Sequence, residues 1–185
     1  MDDSGSNDRD TEDERASQHP VDILIREIIR TRRSVTDDEI ARIIERMATV
    51  PFDQRLVPVP TKLRGITYQG HILNAREDSC TYHLAKRVID ERQWVSGTTA
   101  VQYVADLRRA IRHPSSRLTI YERRGGYIAA TLTPTSAAIP VARRASGSLP
   151  VLLVAYSVDR GIILSGYQVS DLARTGIPEE PRWLM

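Results

Sequence analysis

The sequence predicts an α+β fold: helices packed on an antiparallel sheet of about four strands, preceded by a helical hairpin and a disordered acidic tail. Three observations carry this expectation. Apolar residues recur at three-four spacing in segments that end by His113. After Pro114 the pattern changes to short β-type runs joined by glycine-containing turns, the helix-then-sheet order of an α+β chain. The first 18 residues hold no large apolar side chain after Met1 and so cannot bury enough surface to offset the entropy of ordering. With 185 residues, one main domain and a small helical addition are expected. The divisions read as 1–18 tail, 19–50 helical hairpin, 51–64 Pro-rich connector, 65–170 α+β domain and 171–185 C-terminal tail.

From Pro20, placed for a first helical turn, Val21, Leu24, Ile25, Ile28 and Ile29 mark one helix. Thr36 and Glu39 form a capping-box pair ahead of a second, striped by Ile40, Ile43, Ile44 and Met47. The short link at Ser34 and Val35 folds the two into a hairpin suited to packing or oligomerisation. A helix-turn-helix reader of DNA is the rarer outcome of such a pair. Pro51, Pro58 and Pro60 give an extended connector, and Gln69-Gly70 turns a small hairpin.

A helix over Ser79 to Arg92 places Leu84, Ala85, Val88 and Ile89 on one face and His83, Lys86, Arg87 and Asp90 in a single stripe on the other. Thr98 or Thr99 caps the next helix, with Val101, Val104, Leu107 and Ile111 inward, and Pro114 ends it. Leu118 to Tyr121 and Tyr127 to Leu132 form a hairpin with Arg123 and Arg124 at its tip. Residues Thr133 to Ser148 read as a mobile loop, and Val151 to Tyr156 with Ile162 to Tyr167 as a second hairpin. The last residues, from Gly176, wrap the surface with Trp183 as an anchor.

Net charge is +2, but residues 1–18 carry −5 and the remainder +7, so the folded part is basic. All but Lys62 and Lys86 of its cations are arginines, whose forked guanidinium grips phosphate in two places, so nucleic acid is a candidate partner. An arginine-rich composition alone produces the same bias. The acidic tail can fold over a basic groove and compete with a polyanion, although keeping a chain soluble is the commoner role of such a segment. Cys80 is alone and no apolar run approaches a membrane span, which reads as a cytoplasmic chain without a membrane partner.

The four histidines show no metal-ligand spacing, there is no phosphate-binding glycine loop, and Ser165-Gly166 lacks the nucleophile-elbow frame, so no cofactor is expected. What remains suits cleavage of RNA without metal. A ribose 2′-hydroxyl attacking its phosphate needs a base, an acid for the departing 5′-oxygen, and cations for the crowded transition state. His83 can serve as base or acid beside Lys86 and Arg87; Arg123 or Arg124 can clamp phosphate; Ser165, Tyr167 or Thr98 can position it; Tyr103, Tyr121 or Tyr127 can stack on a base.

At Tyr82-His83-x-x-Lys86-Arg87, Thr98-Thr99-x-x-x-Tyr103 and Gly161-Ile-Ile-Leu-Ser165-Gly-Tyr167 the chain resembles the BECR ribonuclease fold, which groups barnase, EndoU, colicin-type tRNases and RelE-type toxins. The likeness runs from about Ile66 to Gln168 and is greatest to the phage- and polymorphic-toxin-associated branch. It implies RNA cleavage to a cyclic phosphate, tRNA as a common target, and an immunity or antitoxin protein as partner. By match, His83, Arg87 or Lys86, and Ser165 make up the active site, with His83, Arg87 and Ser165 taken as the catalytic set; the residues themselves offer Lys86, Thr98, Tyr103, Arg123, Arg124 and Tyr167 as substrate-binding groups. Lys-Arg stands where a second histidine is often found, which argues against a proton shuttle between two imidazoles.

Each residue also has a plain structural role. His83 can bond at a polar helix face, Lys86 and Arg87 can pair with Asp90 and Glu91, Ser165 can be a minor core polar group, the tyrosines can edge the core, and Arg123 and Arg124 can be solvated tip charges. The competing readings of the whole chain are a non-catalytic module binding nucleic acid or protein, and a phage-type structural protein that oligomerises through its hairpin.

Overall fold

The computed structural model describes residues 16–171, 177–178 and 181–185. The expected acidic tail therefore lies outside the described residues apart from 16–18. Helix α1 (Pro20–Thr31) starts with proline in its first turn, and α2 (Asp37–Thr49) starts at Thr36, whose side chain accepts from Glu39 N while Glu39 accepts from Thr36 N. Ile25 and Ile28 of α1 and Ile43 and Met47 of α2 are fully buried in the same core as the rest of the described chain.

The connector is more regular than its prolines suggest. Strand β1 (Leu56–Pro58) pairs antiparallel with β4 (Arg76–Asp78), and between them β2 (Thr67–Tyr68) and β3 (His71–Ile72) form a hairpin with Gln69 and Gly70 at positive φ. Helix α3 (Ser79–Ala85) is capped by Asp78 and runs into a wider π turn over Lys86–Asp90, where Glu91 N donates to Lys86 O. Helix α4 (Ala100–Arg112) is capped by Thr99 with Gln102 in a capping box.

The main sheet is five-stranded, in the order β8-β7-β6-β5-β9. It comprises β5 (Arg117–Arg123), β6 (Gly126–Pro134), β7 (Val151–Ser157), β8 (Ile162–Val169) and β9 (Arg182–Trp183), all antiparallel to their neighbours. The tail thus contributes a strand where surface wrapping was expected. Arg182 donates to Ile28 O, and the Arg117 guanidinium stacks 4.0 Å from the Trp183 ring centre.

Two further expectations change. Val101 is 81% exposed, because Tyr103, Leu107, Ala110 and Ile111 set the buried face of α4 and Val101 lies almost opposite Tyr103. Residues Thr133 to Ser148 are not a bare loop. They finish β6, form α5 (Thr135–Ala138) and a 3-10 turn (Val141–Arg143), and are held by Arg143 Nε donating to the buried Asp106 at 3.0 Å. No helix among the described residues is long and apolar enough to cross a membrane.

Candidate functional site

Strand β8 is an outer strand of the main sheet, so its backbone needs partners that no neighbouring strand supplies. Ile163 bonds to the connector at Pro51 and Asp53. At Gly166, Tyr103 Oη donates to the carbonyl at 2.7 Å and accepts from the amide at 3.1 Å. At Gln168 the Gln93 side-chain amide does the same, accepting at 2.9 Å and donating at 2.9 Å. Arg87 Nε adds a second bond to the Gly166 carbonyl at 3.2 Å. Side chains therefore close this edge, and α4 approaches so tightly that a Cβ on Gly166 would sit 2.2 Å from Leu107 Cδ2.

The same edge brings His83, Arg87 and Ser165 together. A bulge opposite Ala155 and Tyr156 shifts the alternation of β8, since Ile163 pairs with Tyr156 and Ser165 with Ala155. Ser165 Oγ then lies 3.3 Å from His83 Nδ1 and 3.4 Å from Arg87 Nη2. The π turn carries Arg87 inward, out of the solvated stripe that regular α spacing implied. The residue is 5% exposed, pairs with Glu91 and lies over the Tyr167 ring at 4.9 Å.

His83 is half-buried between the Tyr82 and Phe52 rings, with centroids at 4.9 and 6.1 Å. Burial, then the charges of Arg87 and Lys86, push its pKa down to about 4 against a weaker opposing pull from Asp53. The ring is thus neutral at pH 7. Asp53 itself is clasped by Arg55 and Arg160, which help to hold its pKa below the usual carboxylate range against its burial. Phe52 and Asp53 belong to the connector and carry no local sequence signal that places them beside His83. Glu91, four residues after Arg87, is legible as a helical pair.

The remaining candidates scatter. Lys86 is half-buried and pairs with Glu91 at 3.5 Å. Tyr167 is half-buried beside the cluster and lines a cleft of about 490 Å³ with Glu91, Gln93 and Ser170; burial raises its pKa while Arg87 and Arg123 pull it down. Tyr103 is 0% exposed and Thr98 1%, so both sit in the interior, where Tyr103 closes β8 and the Thr98 carbonyl accepts from Tyr68 Oη. Arg123 and Arg124 are exposed at the β5–β6 tip. Cys80 is half-buried, and burial with Asp78 lifts its thiol to about 11. Among the described residues no three His, Cys, Asp or Glu side chains converge as a metal-ligand set.

No known relative decides the matter. Neither the protein-family models, the curated proteins nor the solved structures match this chain.

Proposed function

We propose that the chain is a metal-independent endoribonuclease of the BECR type, with RNA, and tRNA first, as substrate. The single observation that carries this reading is the meeting of His83, Arg87 and Ser165, contributed by a helix and a strand about 80 residues apart in sequence, around one hydroxyl. The hydrogen bonds suit the chemistry. With the proton on Nδ1, His83 donates to Ser165 Oγ and keeps the lone pair on Nε2 for a 2′-hydroxyl proton. Ser165 Oγ accepts from both His83 and Arg87, which leaves its own O–H to donate to a non-bridging phosphate oxygen. The departing 5′-oxygen takes its proton from solvent.

The test is cleavage of tRNA or total RNA by purified protein in EDTA. Products ending in a cyclic phosphate and a loss of at least ~100-fold in His83→Ala support the mechanism. Cleavage abolished by chelation, or equal in His83→Ala, rejects it.

One observation favours a second reading, a non-catalytic nucleic-acid-binding module. The Arg87 guanidinium is already committed to the Gly166 carbonyl, Glu91 and the Tyr167 ring, which is what a purely structural cation at a sheet edge requires. Salt-sensitive RNA binding without products selects this alternative.

A further inference from the structure

Helix α4 has an outer face that the core does not use. Val101, Ala105, Arg108 and Arg112 recur at i, i+4, i+7 and i+11, so they form one stripe on the side away from the buried Tyr103 and Ala110. Two cavities open along this stripe. One, of about 650 Å³, lies between α4 and the connector and is lined by Pro51, Phe52, Cys80, Val101 and Val104 among others. The other, of about 550 Å³, is lined by Val101, Ala105, Arg108, Arg109, Arg112 and His113, with Pro114 at its end. Val101 and Arg108 line both, so the two form one trough, apolar toward the start of α4 and cationic toward its end. Val101 is the most exposed large apolar side chain among the described residues and packs no core.

The cations of this trough are poorly compensated. Arg108 Nη2 donates to the Val50 carbonyl at 3.2 Å and its Nε is buried without an acceptor, while no carboxylate among the described residues pairs with it. Arg112 pairs with exposed Glu45, a surface contact that exchanges readily. The acid in the lining, Asp78, stands at the apolar end and is committed to capping α3. We propose that the trough docks an acidic segment of a partner protein, with an apolar side chain seated beside Val101 and carboxylates on Arg108 and Arg112, roughly 10 and 16 Å further along the helix axis. Nucleic acid fits less well, because Phe52, the aromatic ring of the lining, is buried and gives bases no exposed platform. Tyr103 reaches Gly166 from the opposite side of α4, so the docked segment lies behind the His83, Arg87 and Ser165 cluster rather than over it. This contact stands whether or not the chain cuts RNA.

Two synthetic peptides of about 12 residues, long enough to follow α4 for three turns, test it by titration into the full chain. One carries leucines in its first half and glutamates in its second; the other has serine for each leucine. The leucine peptide should bind with a Kd below ~100 μM and shift the amide signals of Val101, Ala105, Arg108 and Arg112. Its affinity should fall about fivefold in Val101→Ser, a change at an exposed position that leaves the core intact, and about tenfold in joint Arg108→Gln and Arg112→Gln. Equal binding of the serine peptide, shifts centred elsewhere, or no binding overturns the proposal. An oligouridylate that shifts the same amides and displaces the leucine peptide overturns it in favour of a nucleic-acid surface. Sedimentation of the free chain as a dimer that Val101→Ser dissociates overturns it in favour of a second copy.

Discussion

Acid should weaken this fold through His83, and the size of the effect follows from the ring's surroundings. Above pH 6.5 the imidazole is neutral in both folded and unfolded chains and makes no pH-dependent contribution. Between pH 6.5 and about 4 the unfolded chain binds a proton that the folded chain refuses, because burial and the adjacent Arg87 and Lys86 disfavour the imidazolium. The His83 contribution to stability therefore falls as pH falls through this window and is constant, at its lowest, below about 4. A shift from 6.5 to about 4 is an upper bound of ~3 kcal/mol, and partial solvent contact brings the expected loss to about 2 kcal/mol. Urea unfolding of the parent and of His83→Asn, which keeps a polar atom near Ser165 but cannot titrate, isolates the term as the pH-dependence of their difference. That difference should shift by about 2 kcal/mol in favour of the variant between pH 7 and pH 4. A flat difference, or a His83 ring resonance titrating near pH 6.5, refutes the account of its environment.

Other expectations rest on separate contacts. Gly166→Ala places a methyl group 2.2 Å from Leu107 Cδ2 and should cost about 2–4 kcal/mol, read as a lower urea midpoint with unchanged slope. Asp106→Ala strands Trp94 Nε1 and Arg143, both of which bond to this fully buried carboxylate, and should cost about 3–5 kcal/mol in the same assay. Tyr103→Phe removes the hydroxyl that serves both polar atoms of Gly166, so a loss of about 1–3 kcal/mol and faster hydrogen exchange at the Gly166 amide are expected. If His83 is the general base, RNA cleavage should be level from pH 5 to 8 and fall only as pH drops toward about 4, while Ser165→Ala lowers the rate with little change in stability.

The sequence by itself determined the local elements, because their signals are short-range. Thr36 with Glu39, Pro20 at a first turn, and Gly70, Gly125 and Gly161 in turns with positive φ act within a few residues of one another. The α+β order and the apolar stripes of α1 and α2 followed from the same periodicities. Nothing in the spacing of residues 83 and 165 states their distance, so the meeting of His83, Arg87 and Ser165 is visible only in the fold.

Only the tertiary structure decided the rest. The π turn that moves Arg87 from a solvated stripe to a buried sheet edge, and the bulge that presents Ser165, are small departures from regular spacing. They are stabilised by contacts with residues far along the chain, as are the interior place of Tyr103 and the pairing of β9 with β5. Periodicity reports which side of a helix or strand is apolar. Which polar side chain closes an unpaired strand edge depends on what the packed chain brings there, and that is a property of the whole fold.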